Sequence, residues 1–136
     1  MCIRDRLQPD ACHAGGISEV RRIGAQAEVY YAGLAPHNPY GPISTAACVQ
    51  VDFATPNFVI QEMVDPDDMP ISMTEFVEEP LKVVDGHILP PDRPGLGVEL
   101  DEAACARCEP DFSSTAVLNS YRLYLARHSD GGVADL

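Results

Sequence analysis

Leu34-Ala35-Pro36-His37-Asn38-Pro39-Tyr40-Gly41-Pro42 is the stretch that decides the fold. A short apolar run ends in a polar residue, a loop punctuated by Pro and Gly follows, and Pro42 suits a first helical turn. Ile43 to Thr55, Ala-rich and apolar on most faces, reads as that helix, broken by Pro56-Asn57. The same unit stands upstream. Leu7-Gln8-Pro9-Asp10 reads as a strand end and Asp10 to Gly16 as a turn. Ile17, Val20, Ile23, Ala27 and Tyr30 recur at helical spacing, so Ser18 to Tyr31 reads as an amphipathic helix. Ser18 is expected to cap it and Gly33 to close it. Downstream, Phe58-Val59-Ile60-Gln61-Glu62 reads as a third strand ending in an acid. The order β-α-β-α-β, with connections too long for hairpins, predicts an α/β fold with a parallel sheet.

From Met63 onward the chain is looser, acidic and Pro-rich. Asp67 to Val77 reads as a loop or short helix. Leu81 to Leu89 reads as two strands around Asp85-Gly86, a strong hairpin signal. Pro94-Gly95-Leu96-Gly97 is a tight turn, and Asp101 can cap a short helix over Glu102 to Glu109, stopped by Pro110.

The 136 residues suffice for one modest domain. There are 21 Asp and Glu against 9 Lys and Arg, a net charge of −12. Phosphate binding needs clustered Lys and Arg, so nucleic acid and anionic membranes are not expected as partners. No apolar run approaches the roughly 20 residues of a membrane helix, and Met1 to Arg6 lacks the apolar stretch of a signal peptide. Five scattered cysteines, an odd number, fit a reducing, cytoplasmic setting better than a disulfide framework. Cys105-Ala106-Arg107-Cys108 could make the chain a small acidic metal-binding module, but no second pair offers the other two zinc ligands.

Asp10, His37 and Glu62 each follow a short apolar run and precede a turn, at spacings of 27 and 25 residues. A (β/α)8 barrel of about 250 residues has units of about 30, so the period fits one unit per step and places the three groups at the C-terminal ends of successive strands. Neighbouring strands lie ~4.8 Å apart, so an Asp on one strand end can hydrogen-bond a His on the next. A carboxylate beside an imidazole fixes its tautomer and makes it a better general base. A neutral Glu one strand further round can donate to a developing enolate oxygen. Taken singly, Asp10 could brace backbone, His37 could order its loop and Glu62 could be a solvated strand end. The shared period favours the catalytic reading. His13, three residues after Asp10, could contact substrate or order its turn; Asn38 and Tyr40 are weaker candidates for substrate contact.

Gln8-Pro9-Asp10-Ala11-Cys12-His13-Ala14-Gly15-Gly16-Ile17 resembles the sixth strand and turn of the mandelate racemase/muconate lactonizing enzyme branch of the enolase superfamily. Ala35 to Pro42 resembles its seventh strand, Asn57 to Glu62 its eighth, and Pro94 to Asp101 its C-terminal segment. Arg127 to Asp135 is similar to the tail of the D-galactonate dehydratases. The resemblance implies the last strands and helices of a partial (β/α)8 barrel, about strands 6–8, over residues 7–62. It implies that residues 63–136 form a C-terminal segment packing on the barrel and on a capping domain that this sequence does not include. It further implies a hydro-lyase giving a 2-keto-3-deoxy sugar acid, with a small sugar acid as substrate and a homo-oligomeric full-length form. His37 would be the base, Asp10 its partner and Glu62 the stabiliser of the enolate. Other racemases or cycloisomerases of the branch are the alternative. The family's Mg²⁺ ligands lie upstream of Asp10, so no metal ligand is expected here and the chain alone is expected to be inactive. Residues 1–6 carry three charges where an apolar strand should run, and are expected to be a non-native leader of a truncated product. The open sheet edge of such a piece invites aggregation.

Overall fold

The structure is a computed structural model that describes residues 5–63 and 73–107. The chain divides into two units, Met1–Cys105 and Ala106–Leu136, and all but two residues of the second lie outside the described residues, Cys108 and the Arg127 to Asp135 segment among them.

Strand β1 (Arg6–Leu7) pairs in parallel with β2 (Gly33–Leu34), with Arg6 opposite Gly33 and Leu7 opposite Leu34. The pairing reaches further back than the sequence pattern indicated, since the Gly33 N–H donates to the Asp5 carbonyl at 2.9 Å. A third segment lies on the other side of β2 through a parallel bridge between Leu34 and Phe58. Two hydrogen bonds hold it: Leu34 N–H to the Asn57 carbonyl, and Val59 N–H to the Leu34 carbonyl. Beyond that bridge no regular ladder continues toward Glu62. Two helices connect the three segments, α1 (Ile17–Val29) and α2 (Pro42–Phe53), so the β-α-β-α-β order and the parallel sense hold.

Gly33 does not close α1. It sits inside β2, where a Cβ would overlap the Val59 Cγ2; the missing side chain is what lets the third segment come this close. The turn out of α1 falls on Tyr31, at a φ of 56°. Ser18 is no cap either. Gly16 is the N-cap, at a φ of 88°, and no side chain bonds the first turn. The buried stripe of α1 is Val20, Gly24 and Ala27; Ile17 and Tyr30, counted in the apolar pattern, are exposed. Gly24 suits that stripe because Thr55 and Leu34 press on it, while the Asn57 amide donates to the Gly24 and Ala32 carbonyls and ties helix end to third segment.

Helix α2 starts on Pro42, which needs no N–H partner there. It buries Ala46, Cys48, Val49 and Val51, and with them Ser44, Thr45 and Asp52. The core joins Ala11, Val20, Leu34, Cys48 and Val51, so both helices cover the same side of the strands.

A short 3-10 turn, Met73–Phe76, precedes a separate hairpin, β3 (Val83–Val84) and β4 (His87–Ile88). Asp85 and Gly86 occupy its turn with φ of 50° and 74°, both positive as a two-residue hairpin turn of type I′ requires. Helix α3 (Glu102–Arg107) is capped as expected, the Asp101 carboxylate accepting the Ala104 N–H at 2.8 Å. In the turn before it, Gly97 has a φ of 81°, and a Cβ there would overlap the Pro91 ring. Gly97→Ala should therefore cost about 3 kcal/mol, the sum of the left-handed penalty and overpacking, read as a drop in the urea midpoint. An unchanged midpoint would mean that this turn does not contribute to the cooperative unit.

Candidate active site

The parallel sheet carries Asp10 and His37 to the same end of neighbouring strands, where they form an isolated parallel bridge. Backbone register alone would leave the two side chains on one face. The His37 Nδ1 indeed lies 2.8 Å from the Asp10 Oδ2. The turn after β1 converges on the same carboxylate: Asp10 Oδ1 accepts the Cys12 N–H at 2.7 Å, and the His13 Nδ1 stands 3.0 Å from Oδ2. The Asp10 main-chain carbonyl accepts from His13 and Ala14 as well, so the turn is fastened at both ends of the residue.

Burial pushes the Asp10 carboxyl up, but hydrogen bonds from His37, His13, the Cys12 N–H and Tyr40 together outweigh it and hold it at about 2. An ionised carboxylate is an acceptor only. The His37 Nδ1 must therefore carry the proton, which leaves Nε2 as the basic nitrogen. The His37 side chain is 40% exposed against 11% for Asp10, so an anchored anion sits beneath a reachable imidazole.

Glu62 joins this group from the third segment, through Asn38 rather than through the histidine. Its Oε2 accepts the Asn38 N–H at 2.9 Å, and the Asn38 amide donates to the Glu62 carbonyl at 3.2 Å and to the Thr45 hydroxyl at 2.8 Å. Asn38 is fully buried. The sequence suggested it as a substrate contact; in the structure its side chain instead joins β2's loop, α2 and the third segment. Thr45 was missed in the sequence, and its only signal was its place in the first turn of the helix after the loop. The exposed His13 lies within 3.2 Å of the Tyr40 hydroxyl, and the Tyr40 ring stands edge-on to His37 with centroids 6.1 Å apart. Tyr40 thus belongs to the cluster despite its slight sequence support.

Among the described residues, no group of three His, Cys, Asp or Glu could hold a metal ion, and no helix is long and apolar enough to cross a membrane. Cys48 is buried, and burial together with the neighbouring Asp52 charge pushes its thiol up to about 11, which makes it a poor nucleophile.

A strand-end carboxylate orienting an imidazole, with a second carboxylate on the neighbouring segment, is an arrangement capable of general acid–base chemistry. Known proteins share this scaffold. A family model described as "Enolase C-terminal domain-like" matches residues 3–104. The D-galactonate dehydratase of Cronobacter sakazakii is 43% identical over 133 residues, which are 95% of this chain and 33% of that protein. A mandelate racemase/muconate lactonizing enzyme-like protein from Roseovarius sp. TM1035 superposes with a TM-score of 0.67 at 40% identity, over 75% of this chain and 25% of its own. An enolase from Pantoea ananatis, crystallised with bound D-gluconate and Mg, gives a TM-score of 0.70 at 28% identity, over 79% of this chain and 26% of its own. The chain thus spans about a third of the length of the curated relative it matches. These likenesses carry the TIM-barrel-type α/β fold, and by them the chain belongs to the enolase C-terminal domain-like family, as a D-galactonate dehydratase-like member of the enolase superfamily.

Proposed function

We propose that the whole protein is an acid-sugar dehydratase, with D-galactonate first among aldonates, and that residues 7–62 are strands 6–8 of its barrel with their helices. The observation that carries this reading is the 2.8 Å contact between Asp10 and His37 across adjacent parallel strand ends. His37 Nε2 takes the proton from the carbon beside the substrate carboxylate. Asp10 holds the ring's tautomer and stabilises the imidazolium that forms. Glu62 stabilises the enolate-like intermediate, and Asn38 and Thr45 position Glu62. The β-hydroxyl leaves as water, taking a proton from an acid outside the described residues, and the enol becomes the 2-keto-3-deoxy acid. His13 is offered as a contact to substrate hydroxyls. The described residues do not make a Mg²⁺ site by themselves, so no step here runs through the metal, whose ligands this reading assigns upstream of Asp10. A homo-oligomeric, cytoplasmic enzyme is part of the same reading.

The test is a chimera in which this chain replaces the matching third of the Cronobacter sakazakii enzyme. Mg-dependent formation of 2-keto-3-deoxy acid from D-galactonate is the expected result, with none from the chain alone. Exchange of the alpha proton with deuterated water without loss of water would favour the racemase alternative. A folded chimera that does neither would overturn both readings.

A further inference from the structure

Two cysteines meet behind the Asp10 carboxylate. Cys12 lies exposed in the turn after β1, and its thiol donates to the Ser44 hydroxyl in the first turn of α2 at 3.4 Å. Cys48 stands one turn further along the same face of α2, and its thiol bonds the same Ser44 hydroxyl. One buried oxygen therefore joins a thiol from each side. The packing agrees, since Ala11, next to Cys12, and Cys48 belong to one core cluster. Cys12 also touches the site directly, because its main-chain N–H donates to the Asp10 Oδ1 at 2.7 Å.

The two thiols differ in reach. Cys48 is only 1% exposed, and burial with the nearby charges of Asp52 and Asp10 pushes its thiol up to about 11. An oxidant from solvent meets Cys12 first. Transient disulfides of this kind, one exposed thiol beside a buried one, suit a reducing compartment.

We propose that Cys12 and Cys48 are a peroxide-responsive pair, closing a disulfide between the turn after β1 and α2 that draws the Cys12 N–H away from the Asp10 carboxylate. The Cys12 sulfur attacks a hydroperoxide, the O–O bond breaks, and Cys12 becomes a sulfenic acid as one water leaves. The Cys48 sulfur then attacks the Cys12 sulfur. The S–O bond breaks, and the departing hydroxide takes the Cys48 proton as a second water. Two thiols lose two electrons and the peroxide gains them. At pH 7 only about one Cys48 in 10⁴ is thiolate. Effective molarities of about 10⁵–10⁸ M for well-placed intramolecular attack outweigh that handicap. A disulfide needs its Cβ atoms about 3.5–4.5 Å apart, so the turn moves toward α2 and Asp10 Oδ1 loses its donor. Disruption of the His37 base is the consequence for catalysis, and that consequence alone rests on the dehydratase reading.

The test uses the full 136-residue chain and hydrogen peroxide. Trypsin leaves Cys12 in residues 7–21 and Cys48 in residues 23–82, with Cys2, Cys105 and Cys108 in three other peptides. The expected product is a link between those two peptides, two hydrogens lighter than their sum and reversed by dithiothreitol. It should form at least about tenfold faster in the native chain than in concentrated urea. In nitrogen-15 spectra the Cys12 amide proton should move upfield as the link forms. Cys48→Ala should instead leave Cys12 as a sulfenic acid that dimedone captures. A native chain whose Cys12 runs on to the sulfinic acid with Cys48 still reduced, a link no faster than in urea, or a linked chain whose Cys12 amide keeps its shift would each overturn the proposal.

Discussion

Replacing His37 by Asn in the chimera should lower kcat for D-galactonate dehydration by about 10²–10⁴-fold, the usual contribution of a positioned general base. Asn keeps a donor near the Nδ1 position, so the Asp10 contact and the strand ends can survive. KM should then change little, because the imidazole acts on the transition state rather than on ground-state binding. Alpha-proton exchange in deuterated water should fall with kcat. A His37→Asn enzyme that still exchanges the alpha proton at the parent rate would remove His37 from the proton-transfer role, whatever happened to water loss. Asp10→Asn should lower kcat as well, since an amide in place of the anion no longer dictates which ring nitrogen is basic.

Asp52→Asn should stabilise the isolated chain at pH 8 by up to about 4 kcal/mol and leave it nearly unchanged at pH 4. Burial pushes the Asp52 carboxyl up from 3.8 to about 7. Between those values the folded chain keeps a proton that the unfolded chain has released. The contribution of Asp52 to stability is therefore greatest below about pH 4, falls as pH rises toward 7, and stays low above it. The amide mimics the protonated acid at every pH, so the difference between parent and variant should open through that window. Urea midpoints at pH 4, 6 and 8 measure it. Parallel pH profiles for the two chains would show that Asp52 is ionised or paired already.

Much of this site was legible before any coordinate. The 27-residue step from Asp10 to His37 reflects one strand-helix unit, and the two residues meet because parallel strands in register bring equivalent positions side by side. The Asp85-Gly86 hairpin and the Asp101 cap were equally plain, since each follows from one residue's local chemistry. The misreadings of Gly33 and Asn38 involve tertiary contacts, that of Ser18 a local turn. Gly33 was read as a helix stop because glycine commonly ends helices; its real demand is the space taken by Val59, twenty-six residues away. Ser18 resembled a cap, but the turn through Gly15 and Gly16 had already set the entry to α1. Asn38 was offered as a substrate contact because it follows a histidine in a rim loop. Its burial depends on Thr45 and Glu62, whose proximity no local pattern encodes. Asp52 gave no signal at all: an acid in an apolar helix looks solvated until its neighbours are known.

The mutual grip of Asn38 and Glu62 works as a catch with two teeth. Glu62's side chain holds the backbone of residue 38, and the side chain of residue 38 holds the backbone of residue 62. Sliding the third segment by one position would turn Glu62 to the opposite face and release both teeth together, so mispaired chains forfeit two polar contacts at once. Whatever ligand draws the Glu62 carboxylate away must also free a peptide N–H in the loop beside His37, making arrival at one strand end felt mechanically at the next.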